Sequence, residues 1–178
     1  LGSTVSFSAG LYGTVVSVTS LEKNLPQTLA IMEERLFSPA FEPADFERLK
    51  QQALEGVVYE HQRPSWLAGQ ATREVLFRGT SFSLPPEGTK DSLEAISLDD
   101  VKAFYRRYYT PNGADIVVVG DINASQLTSQ LGFLADWQGM PEPTYTSQVL
   151  PKLPQQTLWM VDKPGAPQTV ISLVRQGL

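Results

Sequence analysis

The sequence contains no cysteine and one histidine, His61. Without cysteine there are no disulfides, no thiolate metal sites and no cysteine nucleophile. A zinc site normally needs three or four His, Cys, Asp or Glu ligands held together, and one histidine beside Glu60, Gln62 and Arg63 reads as a solvated residue at a helix end. No apolar run approaches the about 18 residues of a membrane span. Positive charge is also scarce: 14 Lys and Arg against 19 Asp and Glu leave a net charge of -5. Arg106-Arg107 is the nearest approach to a basic cluster, so no phosphate-binding surface, and hence no nucleic-acid partner, is expected. A Gly-x-Ser-x-Gly elbow is absent, which removes local support for serine hydrolase chemistry. There is no initiating Met and no signal-peptide pattern before Leu1-Gly2-Ser3-Thr4. The chain ends on Arg175-Gln176-Gly177-Leu178, directly after a strand-like run, and both ends are expected to be cuts through a longer protein.

What is present suits a folded chain. The 178 residues are 42% hydrophobic and 19% charged, enough for one domain with a core, or one domain and part of another. Val5, Phe7, Ala9 and Leu11 alternate with small or polar residues, and Val15, Val16 and Val18 follow. Gly10 and Gly13 flank the connection, so a β-hairpin is expected. Leu25, Leu29, Met32 and Leu36 then form one helical stripe behind a candidate N-cap, Asn24, and Ser38-Pro39 ends that helix. Pro43 opens a second helix with Phe46, Leu49, Ala53 and Val57 on one face, ending near His61 ahead of Pro64. Ser65 is placed to cap a third helix to about Phe77, and residues 78–87 read as a loop.

A fourth helix begins at Ser97-Leu98-Asp99-Asp100, with Val101, Phe104, Tyr105 and Tyr108 expected on its buried side. Pro111-Asn112-Gly113 is a turn, and residues 116–119 read as a buried strand. Asn123-Ala124-Ser125-Gln126 has the form of a capping box for a fifth helix through Leu127, Leu131 and Leu134. Prolines 141, 143, 151 and 154 mark a linker, after which residues 157–161 and 169–174 look like strands around a Pro164-Gly165 turn. The expected architecture is α+β, with helices on one face of a largely antiparallel sheet.

Two runs invite a ligand reading and do not sustain it. Residues 116–121 resemble the strand and turn of a nucleotide site, but the Gly-x-Gly-x-x-Gly fingerprint is missing. Residues 163–168 contain two prolines, which lack N–H donors, so a connector is a better reading than an anion loop. The carboxylates Glu33, Glu34, Glu42, Asp45, Glu47, Glu55 and Glu60 fall on the first two helices and read as solvated faces.

A set of short motifs, in order over nearly the whole chain, resembles the pitrilysin/insulinase (M16) family of zinc metallopeptidases. Ser38-Pro39-Ala40-Phe41 with Phe46-Glu47-Arg48-Leu49-Lys50 resembles its "P-x-F … F-E-R-x-K" helix, and Arg63-Pro64-Ser65-Trp66-Leu67-Ala68 its next helix start. Gly88-Thr89 through Ser92-Leu93, Ile96 and Asp100-Val101 is similar to its "G-T-x-x-S-L-x-x-I-x-x-x-D-V" segment. Phe104-Tyr105, Tyr108-Tyr109-Thr110-Pro111 and residues 117–121 resemble "F-Y-x-x-Y-Y-x-P … V-V-V-G-D", and residues 162–169 its "D-K-P-G-A-P-Q-T/S" turn.

The resemblance implies a particular kind of member. Active members hold zinc on a His-x-x-Glu-His helix with a further Glu downstream. Their downstream helix carries two glutamates seven residues apart, about two turns, so both face one way. Registered on Phe46-Glu47-Arg48, the supporting glutamate falls at Leu49 and the zinc ligand at Gly56. Glu55 is a poor substitute, because one residue rotates a side chain by about 100°. The resemblance therefore implies a segment with no catalytic residue, no metal ligand and no cofactor of its own, zinc residing in the family's active half. It implies residues 1–138 as the C-terminal portion of one M16-like domain, 139–156 as linker and 157–178 as the first strands of the next. Its partners would be a His-x-x-Glu-His half, in the same chain or as a separate subunit, and peptide substrates. A scaffold subunit of the same ancestry is the alternative. Periplasm and cytoplasm fit equally.

Overall fold

The structure, a computed structural model, describes residues 1–10, 13–141, 144, 146–153 and 157–175. Leu11 of the expected first strand, Pro143 and Pro154 of the linker, and residues 176–178 lie outside the described residues. The fold is α+β: helices dominate, and a two-stranded antiparallel sheet opens the chain. The described residues divide into two compact units, Leu1–Glu42 with Leu98–Thr144, and Pro43–Ser97 with Tyr145–Leu178.

In the first unit, β1 (Thr4–Ala9) and β2 (Thr14–Thr19) pair in the expected hairpin, with Phe7 opposite Val16 and Val5 opposite Val18. Gly10 N–H donates to Gly13 O across the turn, at 2.8 Å. Helix α1 (Leu25–Phe37) packs on both strands. Its apolar stripe behaves as the period requires: Leu29 and Leu36 are buried, and Leu25 and Met32 half-buried. Burying a leucine side chain contributes about 1.5–3 kcal/mol. Thr28, fully buried, joins helix to hairpin. Its Oγ1 lies 2.8 Å from Asn24 O, 2.9 Å from Ser3 Oγ and 3.0 Å from Ser20 Oγ. Arg35 adds a clasp, donating to Val5 O at 2.7 Å while lying 5.6 Å over the Phe7 ring. Asn24 occupies the N-cap position, but its side chain donates to Leu1 O instead of capping the helix.

Helix α5 (Leu98–Tyr108) belongs to the same unit. Tyr105 and Val101 are half-buried, whereas Phe104 and Tyr108, expected inside, are exposed and pair with each other at 4.5 Å. The buried face is narrower than the aromatic stripe because the contact runs through Tyr105. Its hydroxyl donates to Leu36 O, one of the carbonyls that a helix end leaves without an intrahelical partner. Phe41, in the left-handed region at φ 49°, meets Tyr105 edge-on at 5.4 Å. Helix α6 (Ala124–Gln130) is capped as expected, Asn123 Oδ1 accepting from Gln126 N–H at 2.9 Å. It is shorter than the leucine period implies, and a 3-10 turn, Gly132–Asp136, takes over and carries Leu134.

In the second unit, α2 (Pro43–Glu60) and α3 (Pro64–Phe77) each begin at a proline. The N-cap of α3 is Arg63 rather than Ser65, because Pro64 itself fills the first helical position, where its missing N–H costs nothing. Helix α4 (Lys90–Ala95) has no counterpart in the sequence reading. A reciprocal capping box explains it: Thr89 Oγ1 accepts from Ser92 N–H, and Ser92 Oγ accepts from Thr89 N–H. Lys50 of α2 closes its other end, Nζ donating to Glu94 O and Ile96 O, each at 2.8 Å. Helix α3 packs on the 3-10 turn Ser81–Ser83. Gln148 reaches that turn, accepting from Ser81 N–H at 2.7 Å, and Arg78 lies 5.4 Å over the Trp159 ring.

Three expected strands do not form. Residues 116–119, 157–161 and 169–174 have no ladder partner among the described residues. Val119 is 95% exposed, where a buried strand was expected. Apolar β-branched sequence favours extended backbone, but a strand exists only where a neighbour supplies hydrogen bonds. The Pro164-Gly165 turn does form, with Gly165 at φ 76° and Ala166 N–H donating to Lys163 O.

Candidate functional site

Helix α2 carries Leu49 and Gly56, the two positions that the motif register assigns to glutamate. At 100° per residue, Leu49 and Gly56 fall about 20° apart on one face. That face is open: Leu49 is 55% exposed, and a Cβ at Gly56 would meet nothing within 4 Å. Leu49 shares an apolar helical face with Phe46, Ala53 and Val57 in the sequence, a stripe expected to pack in the core, but the structure leaves it largely in solvent. The buried edge of α2 passes through Val57, with Phe46 and Lys50 half-buried, and this places Leu49 on the flank. A Cβ at Gly56 would meet no neighbour, so close packing at that atom does not require glycine.

The remaining donors on and near α2 have other engagements. Glu55 Oε1 accepts from Gln51 Nε2 at 3.0 Å. Glu60 accepts from Arg63 at 2.9 Å, and Arg48 pairs with Asp45 at 3.0 Å. His61 is exposed, as expected, and its ring lies 4.6 Å from that of Trp66. Glu33, Glu34, Glu42, Asp45, Glu47 and Glu55 are all exposed, and Glu60 half-buried. Among the described residues no group of three or more His, Cys, Asp or Glu side chains is placed to hold a metal ion. Neither Leu49 nor Gly56 carries a side-chain donor atom for a metal.

A shallow groove of about 480 Å³ runs along a different face of α2, between Leu54, Val58 and Tyr59 and the Lys90–Glu94 pair of α4. Neither Leu49 nor Gly56 lines it. The lysine of the F-E-R-x-K run has a structural task, as Lys50 caps α4. The sequence signal for that pairing was Thr89-x-x-Ser92, a helix start within reach of the motif. No helix is long and apolar enough to cross a membrane among the described residues.

Comparison with known proteins agrees with the motif reading. Residues 95–178 match the family model described as the peptidase M16 inactive domain. Over 113 residues the chain is 34% identical to the probable zinc protease PqqL of Escherichia coli, covering 61% of this chain and 12% of that protein. Over 134 residues it is 26% identical to the non-peptidase homolog YmxG of Helicobacter pylori, covering 73% and 31% respectively. The chain thus spans less than a third of either relative. Among solved structures, the M16 inactive domain from Pseudomonas fluorescens superposes with a TM-score of 0.73, at 24% identity, over 83% of this chain and 36% of that one. The first half of the periplasmic protease PqqL from E. coli superposes at 0.57, with 26% identity, over 78% and 29%.

Proposed function

We propose, from the match of residues 95–178 to the peptidase M16 inactive domain, that this chain is an M16 family member serving as the non-catalytic half of a two-part zinc endopeptidase, enclosing substrate against a partner that carries His-x-x-Glu-His. The observation that carries this reading is that Leu49 and Gly56, at the two positions the motif register assigns to glutamate in active members, offer no side-chain donor atom on an open stretch of α2. Zinc-dependent hydrolysis needs ligands that fix the metal and leave a position for water. This segment contributes surface and shape to the reaction, and the partner contributes the chemistry. The match of residues 95–178 to the peptidase M16 inactive domain supports the same division of labour. We further propose that residues 1–138 belong to one M16-like domain and that 157–178 begin the next, with 139–156 linking them.

The test is metal content and peptide cleavage, measured on this chain alone and together with a His-x-x-Glu-His half. Alone, it should bind no stoichiometric zinc and cut no unfolded peptide. Leu49→Glu with Gly56→Glu should not create activity, because the histidine pair is missing. Joined to the active half, cleavage should depend on its presence. Stoichiometric zinc coordinated by Glu55 and His61 would overturn the reading. A folded complex in which this chain leaves cleavage unchanged would favour the alternative, a scaffold subunit, for which the relative named a non-peptidase homolog is the supporting observation.

A further inference from the structure

A second cavity, of about 430 Å³, lies within the first unit and has a different chemistry. Three elements build it. Helix α1 contributes Glu33 and Phe37, one turn apart on one face. Helix α5 contributes Tyr105 and Arg106, with Tyr109 following its last residue. The 3-10 turn Gly132–Asp136 and its continuation contribute Phe133, Asp136 and Trp137. Phe37 stands at 76° to Phe133 and 68° to Trp137, with ring centroids 6.1 and 5.9 Å apart. Rings set so steeply form a corner instead of a closed stack. Tyr105 is held in place by its hydrogen bond to Leu36 O, so its wall of the cavity is fixed before any ligand arrives.

The charges at this aromatic corner are unspent. Glu33 and Asp136 are exposed, and neither has an ion-pair partner within 4.0 Å among the described residues. Two carboxylates against the one guanidinium of Arg106 leave the cavity with one net negative charge. Half-buried rings with free carboxylates at their edge suit a planar cation: the π faces attract its charge, and the carboxylates accept its N–H donors in pairs. We propose that this cavity binds the arginine side chain of a peptide, its guanidinium lying against the Phe37, Phe133 and Trp137 corner and donating to Glu33 and Asp136. Gln138, on the same wall, offers an amide to the flanking peptide bond. The proposal rests on this cavity alone and stands or falls apart from the chamber reading.

The probe is N-acetyl-arginine methylamide, titrated into the full chain while the indole N–H of Trp137 is followed by NMR. Trp137→Phe identifies that signal among the three tryptophans. The comparator is N-acetyl-citrulline methylamide, of the same shape without the charge. The arginine amide should shift the Trp137 signal saturably in the millimolar range, and the citrulline amide should bind about tenfold or more weakly. Glu33→Gln with Asp136→Asn, both at exposed side chains, should weaken arginine binding about tenfold with spectral dispersion intact. Arg106→Gln should tighten it about threefold by removing a like charge. Equal binding of both amides, an arginine shift indifferent to the carboxylate pair, or no shift at all would each overturn the proposal.

Discussion

The hairpin and residues 116–119 are built from nearly the same material, and only one of them becomes a sheet. β2 reads Thr-Val-Val-Ser-Val-Thr, and the later run reads Ile-Val-Val-Val. β2 finds β1 across a short turn, gains a full ladder, and is covered by α1. The later run lies beyond a turn at Pro111-Asn112-Gly113 that delivers no neighbouring strand, and its side chains remain in solvent. Strand formation is a property of a pair, so composition identifies a candidate and topology decides its fate.

The largest test of this contrast is in the helix that covers the hairpin. Leu36→Ala removes a side chain only 3% exposed and should cost about 2–5 kcal/mol, read as a lower midpoint in urea unfolding at unchanged slope. A loss below about 1 kcal/mol would mean that α1 is not the cover of the hairpin.

The sequence revealed what is local. The hairpin, the α1 stripe, the proline starts of α2 and α3, and the Asn123 cap all depend on residues a few positions apart, and all are present. What it concealed is relational. Leu49 has the right period for burial, yet sits on the flank of α2 because the neighbours of that helix lie toward Val57. Phe104 and Tyr108 have the right chemistry for a core and remain outside for the same kind of reason. The helix that carries Leu49 and Gly56 was legible from its proline start and apolar period. The aromatic corner around Phe37 was not, since its walls come from three segments more than a hundred residues apart at the extremes.

A smaller effect concerns Tyr105, which ties α5 to the end of α1. Tyr105→Phe should cost about 1 kcal/mol by removing its hydrogen bond to Leu36 O. Burial, and to a lesser degree the charge of Tyr109, hold the Tyr105 phenol above its ordinary value of 10.0. The folded state therefore keeps the proton longer than the unfolded chain. The stabilisation is complete below pH 10 and falls as pH rises through the folded-state value. Denaturation midpoints should decline above pH 10 in the wild type, and less steeply in Tyr105→Phe. Parallel decline in both would remove Tyr105 as the cause.

The smallest effect closes the comparison. Val119→Thr changes a side chain that is almost entirely in solvent and should shift stability by no more than about 0.5 kcal/mol. A cost near that of Leu36→Ala would show that residues 116–119 are buried in solution and that the contrast with the hairpin is false.

Lys50 gives the chain one more property. Helix α4 has six residues, too few to persist alone, since a helix nucleus is costly and short helices are marginal in water. Its C-terminal carbonyls are held by an ammonium group that belongs to α2. Helix α4 should therefore open in hydrogen exchange when Lys50 lets go, well before α2 itself unwinds. Slower α4 exchange in the wild type than in Lys50→Met would identify this side chain as the latch that ties the short helix to its neighbour.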